Sequence, residues 1–425
     1  MAKVKPFCAL RPRKDLVSRV AAPPYDVISS NEARVMATGN DVSFLHISKP
    51  EIDLDQKTDQ YDEKVYEKGK ENLQRFIKEG TLFQDRKECF YLYRQIMPLG
   101  SRTHTQIGLV ACASVDEYQS DLIKKHELTR KDKEDDRTRH VYTLQANTGP
   151  VFLTYKSRKS IDQIFTELEK APPEYDFTSD DGIRHILWVI NDEKKIKTIE
   201  KEFEAVPIMY VADGHHRSAS ATRVREIMKV ENPSHKGDEE YNYFLVVIFP
   251  HDQMNIMAYN RVVKTLNNNS AEEFLRKITD SFDVTEKGND IPAPQAPHEF
   301  GMYLNGVGYL LEAKKGSFTE SDPVESLDVS ILQNNLMAPI LGIHNPREDK
   351  NIDFVGGIRG NEELKKRVDS GKFKVAFAFF PTSIQDLINV ADAGKIMPPK
   401  STWFEPKLKS GLSVHLLSDK KKCEV

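Results

Sequence analysis

The sequence predicts a mixed α/β (α+β) chain, on three observations. Residues 121–260 alternate strand-like and helix-like patterns, which indicates helices layered on a sheet. Apolar residues make up 39% and charged residues 30% of the chain, a balance that fills a core and faces water. The length, 425 residues, allows two or three domains, or one large α/β domain with additions.

The elements follow from local pattern. Tyr61 to Lys78 reads as an amphipathic helix, with Tyr61, Val65, Leu73 and Phe76 on one side and Gly80 closing it. The runs CFYLYRQIM (89–97) and IGLVACASV (107–115) are aromatic and β-branched and suit a hairpin. Thr129 to Gln145 is charged and helix-compatible, with Thr129 and Asp132 spaced as an N-cap pair and NTGP (147–150) ending it. Buried strands are expected at 151–155, 186–190, 207–212 and 243–249, and a helix over Ser218 to Lys229. Beyond residue 265 the pattern gives a Pro-rich bend (291–297), a hairpin (300–313), a strand (374–380) and a polar loop, MPPKSTWFEPKL (397–408).

Composition excludes several classes. A net charge of -4 argues against generic nucleic-acid binding, which needs a basic footprint. Cys8, Cys89, Cys112 and Cys423 form no CxxC pair, so a thiolate zinc site or a disulfide framework is not expected. The chain shows no signal-peptide core, and no run approaches the roughly 20 apolar residues of a membrane span. A cytoplasmic protein with no membrane partner is the expectation.

The stretch YVADGHHR (210–217) carries the most chemistry. A strand, then Asp213-Gly214, then a helix is the layout of a phosphate cradle, because a helix start offers backbone N–H groups and a positive dipole end. Gly214 permits a sharp turn, Arg217 adds a cationic fork, and His215 and His216 add donors that titrate near neutrality. Adjacent histidines point about 100° apart on a helix, so no protein-held metal site is expected there. The plainer reading is an ordinary turn carrying surface histidines.

A second constellation, His126-Glu127-Leu128-Thr129, precedes the charged helix. A carboxylate at such a junction can act as a general base for a hydroxyl; a solvated, mixed-charge face is the plainer alternative. Tyr25-Asp26 after two prolines, Asn260-Arg261 beyond a strand, and Lys400-Ser401-Thr402 after Pro398-Pro399 are further polar groups on stiff segments that could touch a phosphate or a carboxylate.

APPYDV (22–27), YLYRQ (91–95), HELT (126–129), VADGHHR (211–217), YNRVV (259–263) and MPPKSTWFEPKL (397–408) together resemble the ParB/sulfiredoxin superfamily, and within it the large uncharacterised bacterial and protist family related to free L-serine kinases. The resemblance implies a ParB/sulfiredoxin-like nucleotide-binding core at 116–265. It is flanked by an N-terminal α/β region (1–115) and a C-terminal α/β region (266–425) that contributes to the same site. It implies that Asp213, Gly214, His215, His216, Arg217 and Thr129 hold nucleotide phosphates. Glu127, supported by His126, would be the base toward a serine hydroxyl, and Tyr25, Asp26, Asn260, Arg261, Lys400, Ser401 and Thr402 would orient substrate. The implied activity is phosphoryl transfer from ATP or ADP, with Mg2+ held by phosphates and water, to free L-serine or a similar small hydroxyl compound. The alternatives are a phosphohydrolase using the same cradle and a nucleotide-gated binding module. Sulfiredoxin chemistry is disfavoured because no cysteine stands at the turn.

Overall fold

A computed structural model describes residues 3–418. They form two compact units. The first takes described residues 3–125, 129–254 and 406–418, and the second residues 126–128 and 255–405.

The first unit is built on a mixed sheet of nine strands. Its main strands are β1 (Phe90–Leu99), β2 (Arg102–Ser114), β3 (Val151–Tyr155), β4 (Arg184–Ile190), β5 (Met209–Asp213) and β6 (Tyr243–Pro250). From one edge the order is Ile123–Lys124, β5, β3, β6, β2, β1, β4 and Tyr175–Thr178, and the ninth strand, Val4–Lys5, pairs with the end of β2. The sheet therefore draws strands from both sides of residue 115. β1 and β2 form the expected hairpin, closing at Leu99 opposite Arg102. β3 runs parallel to β6 and antiparallel to β5. All five residues of β3 are buried, and each fully buried Val, Leu or Phe contributes roughly 1.5–3 kcal/mol.

Five helices of this unit matter here: α1 (Glu63–Lys78), α2 (Lys131–Leu144), α3 (Lys159–Leu168), α4 (Glu193–Glu204) and α5 (His215–Glu231). α1 starts at Asp62, whose carboxylate accepts from the Lys64 N–H, and buries Val65, Tyr66, Leu73 and Phe76. The expected N-cap pair of α2 is not formed. The cap is Arg130, without a side-chain bond, and the Thr129 hydroxyl donates instead to Glu134 at 2.7 Å. A longer carboxylate one turn into the helix reaches that hydroxyl where Asp132 does not, because Asp132 pairs with Arg130. α5 begins three residues earlier than the apolar pattern indicates, since its first turn is polar and carries no periodic signal. α3 and α4, which the pattern left out, are held by Ile161, Phe165 and Leu168 and by Ile199 and Phe203 in the main core.

The second unit carries an antiparallel sheet of six strands: β7 (Tyr259–Val263), β8 (Phe282–Gly288), β9 (Glu299–Leu304), β10 (Val307–Ala313), β11 (Ile352–Gly356) and β12 (Val375–Phe379). The order is β8, β10, β9, β12, β7, β11. β9 and β10 are the expected hairpin. Val262 of β7 packs with Leu364 and Val368 of α6 (Gly360–Asp369). Side chains alternate across a strand, so Tyr259 and Arg261 face the other way.

No helix among the described residues is long and apolar enough to cross a membrane.

Candidate functional site

The site begins where β5 ends. Pairing between β5 and β3 slips between Val211 and Asp213, a bulge of the kind that re-aims a side chain. The next residue, Gly214, takes φ 99° and caps α5 with no side-chain bond. That positive φ strains a residue with a side chain and suits glycine. A Cβ there would also lie 3.3 Å from the Arg217 guanidinium and 3.4 Å from Val151 Cα. Glycine thus lets Arg217 fold back over the turn, where its Nη1 donates to the Pro150 carbonyl.

Charge at the turn is balanced internally. Lys407 Nζ lies 2.9 Å from Asp213 Oδ2, and Arg217 Nη2 lies 4.0 Å from Asp213 Oδ1 and 3.7 Å from Asp26 Oδ2. Burial would raise the Asp213 pKa, but Lys407, Arg217 and His215 hold it well below the usual carboxylate range. Burial likewise opposes the charge on Arg217, yet Asp26 and Asp213 outweigh it and raise that pKa. Gln95 Nε2 donates to the Lys407 carbonyl at 3.0 Å, so the sheet fixes the backbone from which this ammonium extends.

Beside the turn lies a small cleft, about 30 Å³, with room for about two water-sized groups. Tyr25, Ser48, Arg137, His140, Thr148 and Arg217 line it. Ser48 Oγ, His140 Nδ1 and Arg217 Nε, atoms of three lining residues, are buried without hydrogen-bond partners among the described residues. His140 is 1% exposed; burial, aided by Arg137, pushes its pKa down to about 4. It is therefore neutral, its Nε2–H donates to the Ile47 carbonyl at 2.9 Å, and its Nδ1 presents a lone pair. Arg137 sits 3.9 Å above the Tyr25 ring and pairs with Asp136 at 2.8 Å. Buried polar atoms are normally satisfied, so three on the residues of one cleft set this wall apart from an ordinary core.

The other predicted residues divide between the units. In the first, His215 is buried. His216 Nε2 accepts from the Arg130 N–H at 3.0 Å, which ties the first turn of α5 to the segment entering α2. Tyr25 and Asp26 stand at this site through Arg217 and Arg137. The Thr129 hydroxyl donates to Glu134. In the second unit, the His126 carbonyl accepts from the Met397 N–H at 2.8 Å, and Glu127 is half-buried. Asn260 Oδ1 accepts from the Phe379 N–H at 3.0 Å. Lys400 has φ 58° and places its ammonium 5.4 Å from the Tyr259 ring. The Ser401 hydroxyl donates to the Pro398 carbonyl at 2.7 Å, which closes the loop on itself. Thr402 is half-buried beside it.

Sequence reasoning did not select Ser48, Arg137, His140 or, as a site residue, Lys407. A signal existed for two of them. Arg137, His140, Val141 and Leu144 recur at helical spacing (i, i+3, i+4, i+7) on one face of α2. Two polar residues on an otherwise apolar stripe are buried polar groups in want of a role.

Fold and turn together define a mixed α/β chain with a basic, glycine-capped helix start. The chain belongs to the family described as protein of unknown function (DUF1015), whose model matches residues 4–330. None of the curated proteins matches it. Among solved structures it is similar to a free serine kinase in complex with AMP, at 12% identity over 72% of this chain and 91% of that one, with a TM-score of 0.36. It is similar to a conserved hypothetical protein from Pyrococcus furiosus, at 13% identity over 73% and 95%, TM-score 0.36. A third likeness is SbnI with a C-terminal truncation from Staphylococcus aureus, at 12% identity over 72% and 87%, TM-score 0.36.

Proposed function

We propose that this chain is a nucleotide-dependent phosphotransferase acting on the hydroxyl of a small molecule, with free L-serine as the acceptor that its ParB/sulfiredoxin-like motifs imply. The observation that carries the reading is the start of α5: a 17-residue helix opening at a left-handed glycine, with Arg217 and Lys407 beside it. Helix starts of this kind bind anions. Terminal phosphates of ATP or ADP lie against the first turn, where Arg217 and Lys407 offset their charge and His215 and His216 supply donors. Asp213 acts through its neighbours, holding Lys407 and Arg217 in place before the nucleotide arrives. Tyr25 and Asp26 steady Arg217 from the other side.

Asp213 is the one carboxylate of residues 213–217 and is already bonded to Lys407. In this reading magnesium would arrive with the nucleotide, held by phosphate oxygens and water, and would supply charge neutralisation. Glu127 lies three residues before Arg130, the residue bonded to His216, and is the proposed general base. It takes the proton of the acceptor hydroxyl as that oxygen bonds to the phosphorus and the bond to the leaving nucleotide oxygen breaks.

The test is direct. Purified protein is incubated with ATP or ADP and L-serine, and O-phosphoserine is measured by mass spectrometry, with phosphate release followed in parallel without serine. Glu127→Gln should lower turnover about 100-fold or more while nucleotide binding persists. Full turnover in that variant would remove Glu127 from the mechanism. Phosphate release indifferent to serine would point to hydrolysis.

A further inference from the structure

We propose that Arg261 anchors an oxyanion-binding site in the second unit, taking a small molecule that carries a carboxylate or a phosphate. The inference rests on that unit alone and stands or falls separately from the nucleotide reading.

Arg261 is 3% exposed. No carboxylate among the described residues lies within ion-pair distance of it. Its side chain makes three hydrogen bonds, all to backbone carbonyls: Nη1 to Tyr259 at 2.8 Å, and Nη2 to Pro399 and Lys400 at 3.5 Å each. The last two are at the outer limit of a hydrogen bond. The guanidinium lies 4.5 Å from the Phe379 ring and 5.4 Å from the Phe354 ring, which stiffen it without neutralising it. Phe354 stands directly opposite on β11.

Burying a cation without a counter-ion costs several kcal/mol. Isolated buried charges are rare for that reason, and those that persist are paired or take part in function. Burial pulls the Arg261 pKa down to about 9, consistent with a charge that its surroundings leave uncompensated. The Nε and Nη2 edge is the under-used one: Nε has no partner among the described residues and Nη2 has only the two long contacts. This side-on fork matches the two oxygens of a carboxylate or phosphate. The Pro398–Ser401 turn covers it, closed by the Ser401 hydroxyl on Pro398 and by the Thr382 hydroxyl on the Ser401 carbonyl at 2.9 Å. An arriving oxyanion replaces the two weak carbonyl contacts with charge-assisted ones.

The experiment titrates full-length wild type, Arg261→Lys and Arg261→Met with sodium malonate and with sodium phosphate. It uses calorimetry and thermal unfolding, against sodium chloride at matched ionic strength. The expected result is binding and stabilisation of wild type by one of the two anions, about tenfold or more weaker in Arg261→Met and intermediate in Arg261→Lys, which keeps the charge but loses the fork. Preference for malonate assigns a carboxylate ligand, and preference for phosphate a phosphorylated one. Equal binding by Arg261→Met, or no effect on wild type beyond chloride, overturns the proposal. Should Arg261→Met fail to fold, phenylglyoxal labelling of wild type replaces it. Protection of the Arg261 peptide by the oxyanion supports the site, and equal labelling with and without it refutes the site.

Discussion

Arg217 and Arg261 are both largely withdrawn from water, one in each unit, and their surroundings differ in kind. Arg217 lies within 4.0 Å of two carboxylates, Asp26 and Asp213, and its pKa is raised. Among the described residues Arg261 meets only carbonyls and aromatic rings, and burial brings its pKa down to about 9. The first arginine is neutralised at rest by Asp26 and Asp213, as part of an assembled turn. The second has no counter-ion among the described residues. Burial alone therefore does not say what a cation is for; the company it keeps does.

Replacing each arginine by methionine should break that comparison most sharply. Arg217→Met leaves Asp26 and Asp213 without their shared cation and should destabilise the protein by about 2 kcal/mol, below the full value for a buried pair because both acids are partly exposed. Arg261→Met removes an uncompensated charge and should leave stability unchanged or raise it by about 1 kcal/mol. Chemical denaturation of the two variants measures both. Losses of equal size would erase the distinction between the sites.

Gly214→Ala sharpens the Arg217 side. The left-handed backbone costs an alanine about 1–2 kcal/mol, and the added methyl presses on the guanidinium. Stability should fall by that amount and nucleotide binding should weaken. Unchanged binding would detach the turn from the ligand.

A smaller effect concerns pH. His140 titrates near 4 in the fold and near 6.5 when unfolded, so between these values the unfolded chain binds the extra proton. Stability should therefore fall as pH drops from about 6.5 to 4, by up to about 3 kcal/mol from this residue. His140→Gln should flatten that part of the acid limb in a pH series of denaturation curves. The charges on Arg137, Asp136 and Glu51 act on the same ring and remain in the variant.

The sequence made the scaffold of the site readable and concealed most of its wall. β3, β5 and the hairpin β1–β2 announce themselves through apolar runs, and the DGHHR turn through the glycine between strand and helix. The start of α5 shows in the strand, Asp-Gly, helix layout but not in the apolar period, because polar residues at a helix start have no such period to follow. Lys407 reaches Asp213 from 194 positions away along the chain, a pairing that no local pattern encodes. Arg137 and His140 were hidden in a run of alternating charge, where a buried face and a solvated one look alike until the apolar residues of the same face are counted with them. For Arg261, the sequence shows the residue but not the lack of a counter-ion, which only the fold reveals.

The central claim is that the turn at 213–217 holds phosphate. Calorimetric titration of wild type and Arg217→Ala with ADP, and with adenosine as the phosphate-free control, tests it most directly. The account predicts that ADP binds wild type at least about tenfold more tightly than adenosine, and that Arg217→Ala loses most of this advantage. Equal affinity for ADP and adenosine, or an Arg217→Ala variant that binds ADP like wild type, would contradict it.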